Sequence, residues 1–273
     1  MSEFPTDWSK TAFGVDANPS FSDFVRRTDP GLLPARQQGA TGMPEHPVGT
    51  TILALTYADG VVIAGDRRAT SGYQIADRKI EKVFPADDFS AVAIAGAAGP
   101  AIDMVKLFRT ELEHYEKVEG ERLSLEGKAN KLASMIRANL PMAMQGFLVV
   151  PLFAGYDLRR SAGRIFRYDG IGGRYEESDY HADGSGGTHA RGSLKGRWRR
   201  GLERDAAILA AVEALFDAAE EDVATGGPDL IRNIFPVVAT VTATGYERID
   251  DAVVGVAVDG AVADRRDREE RNR

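Results

Sequence analysis

The chain of 273 residues is 43% hydrophobic with a formal net charge of −7, a composition that supports a buried core and predicts no nucleic-acid partner. It contains no cysteine, and its four histidines lack paired ligand spacing, so disulfides, thiolate chemistry and a metal or other cofactor site are not expected. No apolar run approaches the roughly 20 residues that span a bilayer, and no secretion signal is recognisable, which predicts a cytoplasmic protein without membrane association.

The first 49 residues differ in composition from the rest of the chain. They contain six of the 12 prolines and show no hydrophobic periodicity from residue 34 onwards, so they cannot build a core of their own. Within them, residues 20–27 begin with a capping serine followed by apolar residues at near-helical spacing, which predicts a short helix. We therefore expect a leader over residues 1–49 and a folded domain over residues 50–260.

Strand-like and helix-like segments alternate along the remaining chain. Runs rich in β-branched residues predict strands at residues 51–57, 61–64, 79–84, 90–95, 147–156, 164–169, 175–181, 236–244 and 252–258. The first two are joined through Asp59-Gly60, a pair that favours a tight hairpin. Amphipathic patterns predict two helices after a glycine-rich turn, the second over residues 124–144, and two more within residues 188–224. Residues 261–273 are dominated by charges of both signs and are predicted to form a disordered tail.

The order of these elements indicates the fold class. Strands joined by hairpins form antiparallel sheets, and helices that occur in pairs between groups of strands cover the outer faces of such sheets. The sequence therefore predicts an α+β protein, a four-layer α/β/β/α sandwich with two antiparallel sheets in the middle.

The bond between Gly49 and Thr50 lies where the proline-rich segment meets the first predicted strand. A threonine at this place is ordinarily only the first residue of a strand. The abrupt change in composition nevertheless favours a processing site, and glycine lets the peptide bend toward the threonine hydroxyl. Cleavage would give Thr50 a free α-amino group, whose reference pKa of about 7.7 to 8.0 suits a general base near neutral pH.

A threonine nucleophile also needs a nearby cation, a carboxylate that holds this cation, and N–H groups that stabilise the oxyanion. Lys82 and Asp66 lie at the ends of predicted strands and can supply the first two, although each by itself is typical of a surface charge. Gly96 can supply a bare backbone N–H, although glycine is equally expected at a turn between strand and helix. Two further glycine-rich segments, residues 184–187 and 225–227, are equally typical of helix starts and ends.

Several motifs follow one another in a fixed order along the chain. They are GTTILAL at 49–55, GVVIAGDRRAT at 60–70, KIEKVF at 79–84, AIAGAAG at 93–99, ELEHYEKVEG at 111–120, AMQGFLVVPLFAGYD at 143–157, GSGG at 184–187 and EEDVATGGPDLIRNIFP at 220–236. Together with FSDFVRR and GLLPA in the leader, they resemble the proteasome β subunit of the actinobacterial type. The resemblance covers nearly the whole chain except the final dozen residues.

The resemblance implies the fold of the N-terminal nucleophile hydrolases, in agreement with the predicted sandwich, and the activity of a threonine-type endopeptidase. In the family pattern, Thr50 matches the nucleophile, which autolysis after Gly49 exposes. Asp66 and Lys82 match its acidic and basic partners, and Gly96 matches the oxyanion donor. The positions that match the group orienting the threonine amino terminus are Ser185, Asp222, Thr225 and Gly226. Family members often carry a second serine where this chain has Gly187.

The resemblance also implies how substrate is bound. An extended peptide is expected between the segments around Thr70 and Ala98, held through main-chain hydrogen bonds. The positions that match the primary specificity pocket are all apolar in this chain: Ala69, Ile80, Phe84, Ile94, Ala98 and Ile102. This composition predicts cleavage after hydrophobic residues.

Partners are implied by resemblance alone. They are heptameric β rings stacked with rings of α subunits in a four-ring barrel, a regulatory ATPase ring, and unfolded or tagged polypeptides as substrates. Two alternatives remain open: a non-catalytic structural or gating ring subunit, and a two-ring threonine peptidase working with an ATPase. The first should lack the Gly-Thr junction and the lysine, and the second has shorter chains with almost no leader. A plain binding module would explain none of the motifs.

Overall fold

The computed structural model describes residues 49–71 and 74–271. The predicted leader other than Gly49, with its short helix, lies outside these residues. Within them the chain forms twelve strands: β1 (Thr51–Tyr57), β2 (Gly60–Gly65), β3 (Ala69–Ser71), β4 (Gln74–Asp77), β5 (Val83–Asp87), β6 (Ser90–Gly96), β7 (Val149–Asp157), β8 (Ala162–Tyr168), β9 (Arg174–Glu177), β10 (Tyr180–Gly184), β11 (Val237–Thr242) and β12 (Gly245–Arg248). The same residues form six helices: α1 (Ala98–Glu119), α2 (Leu125–Ala138), α3 (Leu140–Ala143), α4 (Gly187–Arg197), α5 (Arg204–Glu221) and α6 (Asp251–Arg271). None of these helices is long and apolar enough to cross a membrane.

Two five-stranded sheets form the centre of the molecule. The first sheet has the strand order β10-β1-β2-β11-β12, and the second has the order β5-β6-β7-β8-β9. Neighbouring strands are antiparallel throughout both sheets. β3 pairs with β4 in a separate two-stranded sheet. β4 is exposed and β3 is partly buried, and their short sequences carry no alternating pattern that could have predicted them.

The alternation of side chains along β1 shows how the layers are stacked. Leu53 contributes to a core that the first sheet shares with α4, α5 and α6, whereas Ile52 contributes to the core between the two sheets. Helices α1 and α2 cover the other face of the second sheet, where Phe108 packs edge-on against Phe153 with ring centroids 5.9 Å apart. The predicted α+β class and the α/β/β/α order of layers are therefore confirmed.

The predicted hairpin between β1 and β2 is present, but its glycine is needed for an unexpected reason. Tyr57 pairs with Gly60, so Ala58 and Asp59 form the two-residue turn. A Cβ at Gly60 would lie 2.1 Å from the carbonyl oxygen of Val241 in the neighbouring β11. Glycine therefore allows β2 and β11 to approach closely at this point.

The strand predicted at residues 175–181 is two strands that belong to different sheets. β9 pairs with β8 in the second sheet, whereas β10 pairs with β1 in the first. The chain crosses between the sheets at Ser178 and Asp179, where the Asp179 carbonyl accepts a hydrogen bond from the Thr56 N–H at 2.8 Å. Because Thr51 pairs with Gly184, this crossing brings the glycine-rich segment beside the start of β1.

The strand predicted at residues 252–258 is wrong, because this segment is part of α6. The side chain of Asp250 accepts a hydrogen bond from the Ala252 N–H at 2.8 Å and so caps the start of the helix. Val254, Val258 and Ala261 are buried at helical spacing, and the two valines belong to the core that α6 shares with the first sheet and its helices. The β-branched composition suggested a strand, whereas the spacing of the buried residues is that of a helix.

Helix α6 continues to Arg271, so most of the segment predicted as a disordered tail is helical. The guanidinium of Arg265 lies over the ring of Phe216 in α5, 3.9 Å from its centroid, and pairs with Asp217. One turn further on, Arg268 pairs with Asp264 at 2.6 Å. Charged residues of this segment therefore form ion pairs within α6 and between α6 and α5.

The helix predicted over residues 124–144 is interrupted. Ser124 caps α2 by accepting a hydrogen bond from the Gly127 N–H, and α2 ends at Ala138. The short α3 follows with Pro141 in its first turn, where proline is tolerated because that N–H has no partner within the helix. The interruption turns the chain toward β7.

Candidate active site

The side chain of Asp66 joins the start of β1 to the end of β2. The pairing of these strands places Gly65 opposite Ile52, so Asp66 follows directly beside the first residues of β1. Its Oδ1 accepts a hydrogen bond from the Thr51 N–H at 2.8 Å. Its Oδ2 accepts from the N–H groups of Arg68 at 2.9 Å and of Gly226 at 2.8 Å. The carboxylate is fully buried and thus fixes three backbone segments around Thr50.

Lys82 completes the environment of this carboxylate. Its Nζ donates to Asp66 Oδ1 at 2.7 Å and to the carbonyl oxygen of Arg68 at 2.6 Å, and its side chain is almost completely buried. Burial lowers the pKa of Lys82 below its usual range, and the charge and hydrogen bond of Asp66 offset only part of this effect. The structure thus holds a lysine near residue 50 that gives up its proton more readily than a lysine in water.

A second hydrogen-bonded group contacts the Thr50 nitrogen. That nitrogen lies 3.3 Å from Ser185 Oγ, and Ser185 Oγ lies 2.5 Å from Asp222 Oδ2. The same carboxylate oxygen accepts from Thr225 Oγ1 at 2.6 Å. Burial raises the pKa of Asp222, but the hydrogen bonds from Ser185, Thr225 and the Ala224 N–H outweigh burial and leave the pKa below the usual range.

The ionised Asp222 sets the direction of the neighbouring hydrogen bonds. A carboxylate without a proton can only accept, so the hydroxyls of Ser185 and Thr225 both donate to it. The Ser185 oxygen keeps both lone pairs and accepts a hydrogen bond from the Thr50 N–H. In the intact chain this nitrogen is a peptide amide, and it occupies the position that an α-amino group would take after cleavage of the preceding bond.

The hydroxyl of Thr51 belongs to the same group, although the sequence analysis did not identify it. Thr51 Oγ1 lies 2.6 Å from Thr225 Oγ1, and both side chains are fully buried. Since Thr225 donates to Asp222, the Thr51 hydroxyl must be the donor in this pair. The second threonine of the GTTILAL motif was the available signal, but a threonine in a strand is too common to be noticed.

The glycines of the GSGG segment allow this close approach. Gly184 has φ +92°, and a Cβ there would lie 1.9 Å from the carbonyl oxygen of Thr50. A Cβ at Gly186 would lie 2.4 Å from Thr51 Oγ1 and 2.7 Å from Thr225 Oγ1. Between them, the Ser185 N–H donates to the Thr50 carbonyl at 2.9 Å.

Gly96 ends β6 on the side of Lys82. The Ile94 N–H donates to the Lys82 carbonyl at 2.8 Å. N–H groups two residues apart in a strand point the same way, so the Gly96 N–H points toward the side of β6 on which Lys82 lies. Gly96 has φ +99°, and a Cβ there would lie 2.1 Å from the carbonyl oxygen of Leu148. Only glycine fits this backbone position, and the role of Gly96 as an oxyanion donor stays a prediction.

The six predicted pocket residues fall into two sets. Ile94 is buried beneath α1, in one apolar cluster with the half-buried Phe84 and Ile102. The other three lie outside that cluster and are half-buried: Ala69, Ile80 and Ala98. Among residues 49–71 and 74–271, no group of three or more His, Asp or Glu side chains is arranged to hold a metal ion.

The fold and the site together define a class of protein. A sandwich of two antiparallel sheets between helices, with a buried lysine–aspartate pair bonded to the first residue of the first strand, is the architecture of an N-terminal nucleophile hydrolase. A family model described as proteasome subunit matches residues 47–231. The chain therefore belongs to the proteasome family, as a β subunit.

Two relatives support this assignment. A proteasome subunit beta from Acidimicrobium ferrooxidans is 59% identical over 253 residues, which cover 92% of each chain. A proteasome subunit beta from Acidothermus cellulolyticus is 57% identical over 252 residues, which cover 90% of this chain and 87% of that one. The resemblance found in the motifs is thus confirmed across almost the full length.

The contact at Gly186 generates a prediction about stability. Gly186→Ala should lower the free energy of unfolding by about 1–3 kcal/mol, because the new methyl group would force apart the hydroxyls of Thr51 and Thr225. Gly192→Ala, in α4, is the matched control, since a Cβ there meets no atom within 4 Å and alanine favours a helix by up to about 1 kcal/mol. Urea unfolding of the isolated chains measures both. Equal midpoints for the two variants would contradict the close packing at Gly186.

Proposed function

We propose that this β subunit is a threonine endopeptidase whose nucleophile is the Thr50 hydroxyl, exposed by self-cleavage between Gly49 and Thr50. The observation that carries the proposal is that two hydrogen-bonded groups meet at residues 50 and 51, one through the Thr51 N–H and the other through the Thr50 nitrogen. Asp66 and Lys82 place an ammonium beside the start of β1. Ser185 and Asp222 hold the Thr50 nitrogen.

In the proposed peptide hydrolysis, Thr50 Oγ1 attacks the carbonyl carbon of the substrate while its proton passes to the Thr50 α-amine. The positive charge of Lys82 favours the developing alkoxide, and the Gly96 N–H donates to the oxyanion. The intermediate collapses when the leaving amine of the substrate takes the proton from the α-ammonium. The Thr50 α-amine then deprotonates a water molecule, which hydrolyses the ester on Thr50 and releases the second product.

Self-cleavage uses the same hydroxyl on the preceding bond. Thr50 Oγ1 attacks the carbonyl carbon of Gly49, the bond from this carbon to the Thr50 nitrogen breaks, and the hydroxyl proton finishes on that nitrogen. The resulting ester between Gly49 and the Thr50 oxygen is hydrolysed by water. The products are a leader that ends in a carboxylate and a chain that begins with a free amine at Thr50, held by Ser185.

The proposed substrates are unfolded or tagged polypeptides bound as extended strands. Support for a preference for hydrophobic residues comes from the apolar cluster of Phe84, Ile94 and Ile102, since the Ile94 N–H bonds the carbonyl of Lys82 and so lies close to the lysine. Main-chain recognition in the segments around Thr70 and Ala98 would make the preference broad.

The proposed assembly rests on the family. It consists of seven-membered β rings stacked with proteasome α subunits in a four-ring barrel, which a regulatory ATPase ring supplies with substrate in the cytoplasm. The structural or gating alternative is disfavoured because the Gly-Thr junction and the buried Asp66–Lys82 pair are both present. The two-ring threonine peptidase is disfavoured by the long segment before Thr50 and by the GGPDLIRNIFP motif.

Thr50→Ala should remain at full length and lose peptide hydrolysis, because no hydroxyl is left to form the ester. Intact mass, measured for the chain alone and after mixing with α subunits, follows the loss of residues 1–49. Thr110→Ala is the matched control, since Thr110 is exposed on α1 and its hydroxyl donates to the Lys106 carbonyl of the same helix. Undiminished hydrolysis by Thr50→Ala would refute the proposed nucleophile. A wild-type chain that stays at full length in the assembled particle would favour the structural or gating alternative.

Asp66→Asn should move the alkaline limb of the pH–rate profile to lower pH. Asp66 raises the pKa of Lys82 against the lowering effect of burial, so its loss lowers that pKa further, and the ammonium is lost at a lower pH. In the parent this limb should already lie below the reference lysine pKa of about 10.4. The measurement is kcat against pH in assembled particles whose β chains are produced from Thr50 onwards, with the exposed Asp103→Asn as control. An unmoved limb would exclude Lys82 as the titrating group.

Peptides with tyrosine or leucine before the scissile bond should be hydrolysed at least about tenfold faster than a peptide with aspartate there, because a carboxylate loses its hydration in an apolar pocket. Initial rates with three otherwise identical peptides measure the difference. Faster turnover of the aspartyl peptide would contradict the proposed pocket.

A further inference from the structure

Gly49 is packed against the turn of residues 222–226, whose Asp222 side chain bonds Ser185 beside the Thr50 nitrogen. A Cβ built on Gly49 would lie 1.8 Å from the Cβ of Ala224, 2.7 Å from its Cα and 2.8 Å from its carbonyl oxygen. On its other side, the Gly49 N–H donates to Thr70 Oγ1 at 3.3 Å. The residue before Thr50 is itself buried and has no room for a side chain.

The turn cannot easily move away from Gly49. The Ala224 N–H donates to Asp222 Oδ1 at 3.2 Å, and the Thr225 N–H donates to the Asp222 carbonyl at 3.0 Å. One residue further on, the Gly226 N–H donates to Asp66 Oδ2 at 2.8 Å. A shift of Ala224 large enough to admit a methyl group at residue 49 would therefore disturb both groups that position Thr50.

We propose that Ala224 is a specificity-determining residue for self-cleavage, which limits residue 49 to glycine. This inference rests on the proposed self-cleavage. The position occupied by Gly49 is bordered by Ala224 and Thr70, whereas the proposed pocket for substrates is formed by Phe84, Ile94 and Ile102 beneath α1. The residue before the cleaved bond would therefore lie in different places in the two reactions. In self-cleavage it is a glycine beside Ala224, and in peptide hydrolysis it is a large apolar residue in the proposed pocket.

A test combines Gly49→Ala with Ala224→Gly in the full-length chain. Gly49→Ala should slow the loss of the leader at least about tenfold, because the added methyl group overlaps with Ala224. The double variant should lose its leader at least about threefold faster than Gly49→Ala. Recovery stays partial because the Cα and carbonyl oxygen of residue 224 remain within 3 Å of the new methyl group. The rate is followed by intact mass after mixing with α subunits, with Gly192→Ala as the control for a glycine replaced in open space.

Two results would overturn the assignment of Ala224: cleavage of Gly49→Ala at the wild-type rate, or a double variant that is cleaved no faster than Gly49→Ala. If Thr50→Ala loses its leader, the proposed function fails. If Thr50→Ala keeps its leader and Gly49→Ala is cleaved at the wild-type rate, only the role of Ala224 is refuted.

Discussion

The site depends on one buried carboxylate. Asp66 accepts hydrogen bonds from the backbone at Thr51, Arg68 and Gly226 and from the Lys82 ammonium. A buried charge is tolerated only when its oxygens are bonded, and removal of one partner leaves the other charge uncompensated at a cost of about 3–5 kcal/mol. The same bonds that make Asp66 tolerable therefore fix the relative positions of β1, the segment after β2, and the turn before β11.

The second hydrogen-bonded group follows from the path of the chain between the sheets. Because the chain leaves β9 in the second sheet and pairs β10 with β1 in the first, Ser185 lies beside the Thr50 carbonyl. Helices α4 and α5 then lead to Asp222 at the end of α5, which accepts from Ser185. The fold thus delivers an acceptor for the Thr50 nitrogen from residues far along the sequence.

Much of this arrangement could be predicted from the sequence because local patterns and short motifs indicate it. The order of strand-like and helix-like segments predicted the layers, and the GTT, GDRRAT and GSGG motifs singled out the positions Thr50, Asp66 and Ser185. The helical nature of α6 was missed because Val254 and Val258 favour strands by composition, and only their burial against the first sheet reveals the helical spacing. The role of Thr51 was missed because its partner, Thr225, is distant in sequence and no local pattern connects them. The assignment of Gly60 to the turn failed for a similar reason, since β11 is the strand that requires it.

The distance along the chain between the two threonine hydroxyls has a consequence for the timing of synthesis. Thr225 follows Thr51 by 174 residues, and β11, which separates β2 from β12 in the first sheet, comes later still. At about 5–20 residues per second, a ribosome needs roughly 9–35 s to reach Thr225 after Thr51 has been added. During that interval β1 can pair with β2, but neither Asp222 nor Gly226 exists to complete the surroundings of Thr50. A nascent chain therefore carries an incomplete centre until most of the polypeptide has been made.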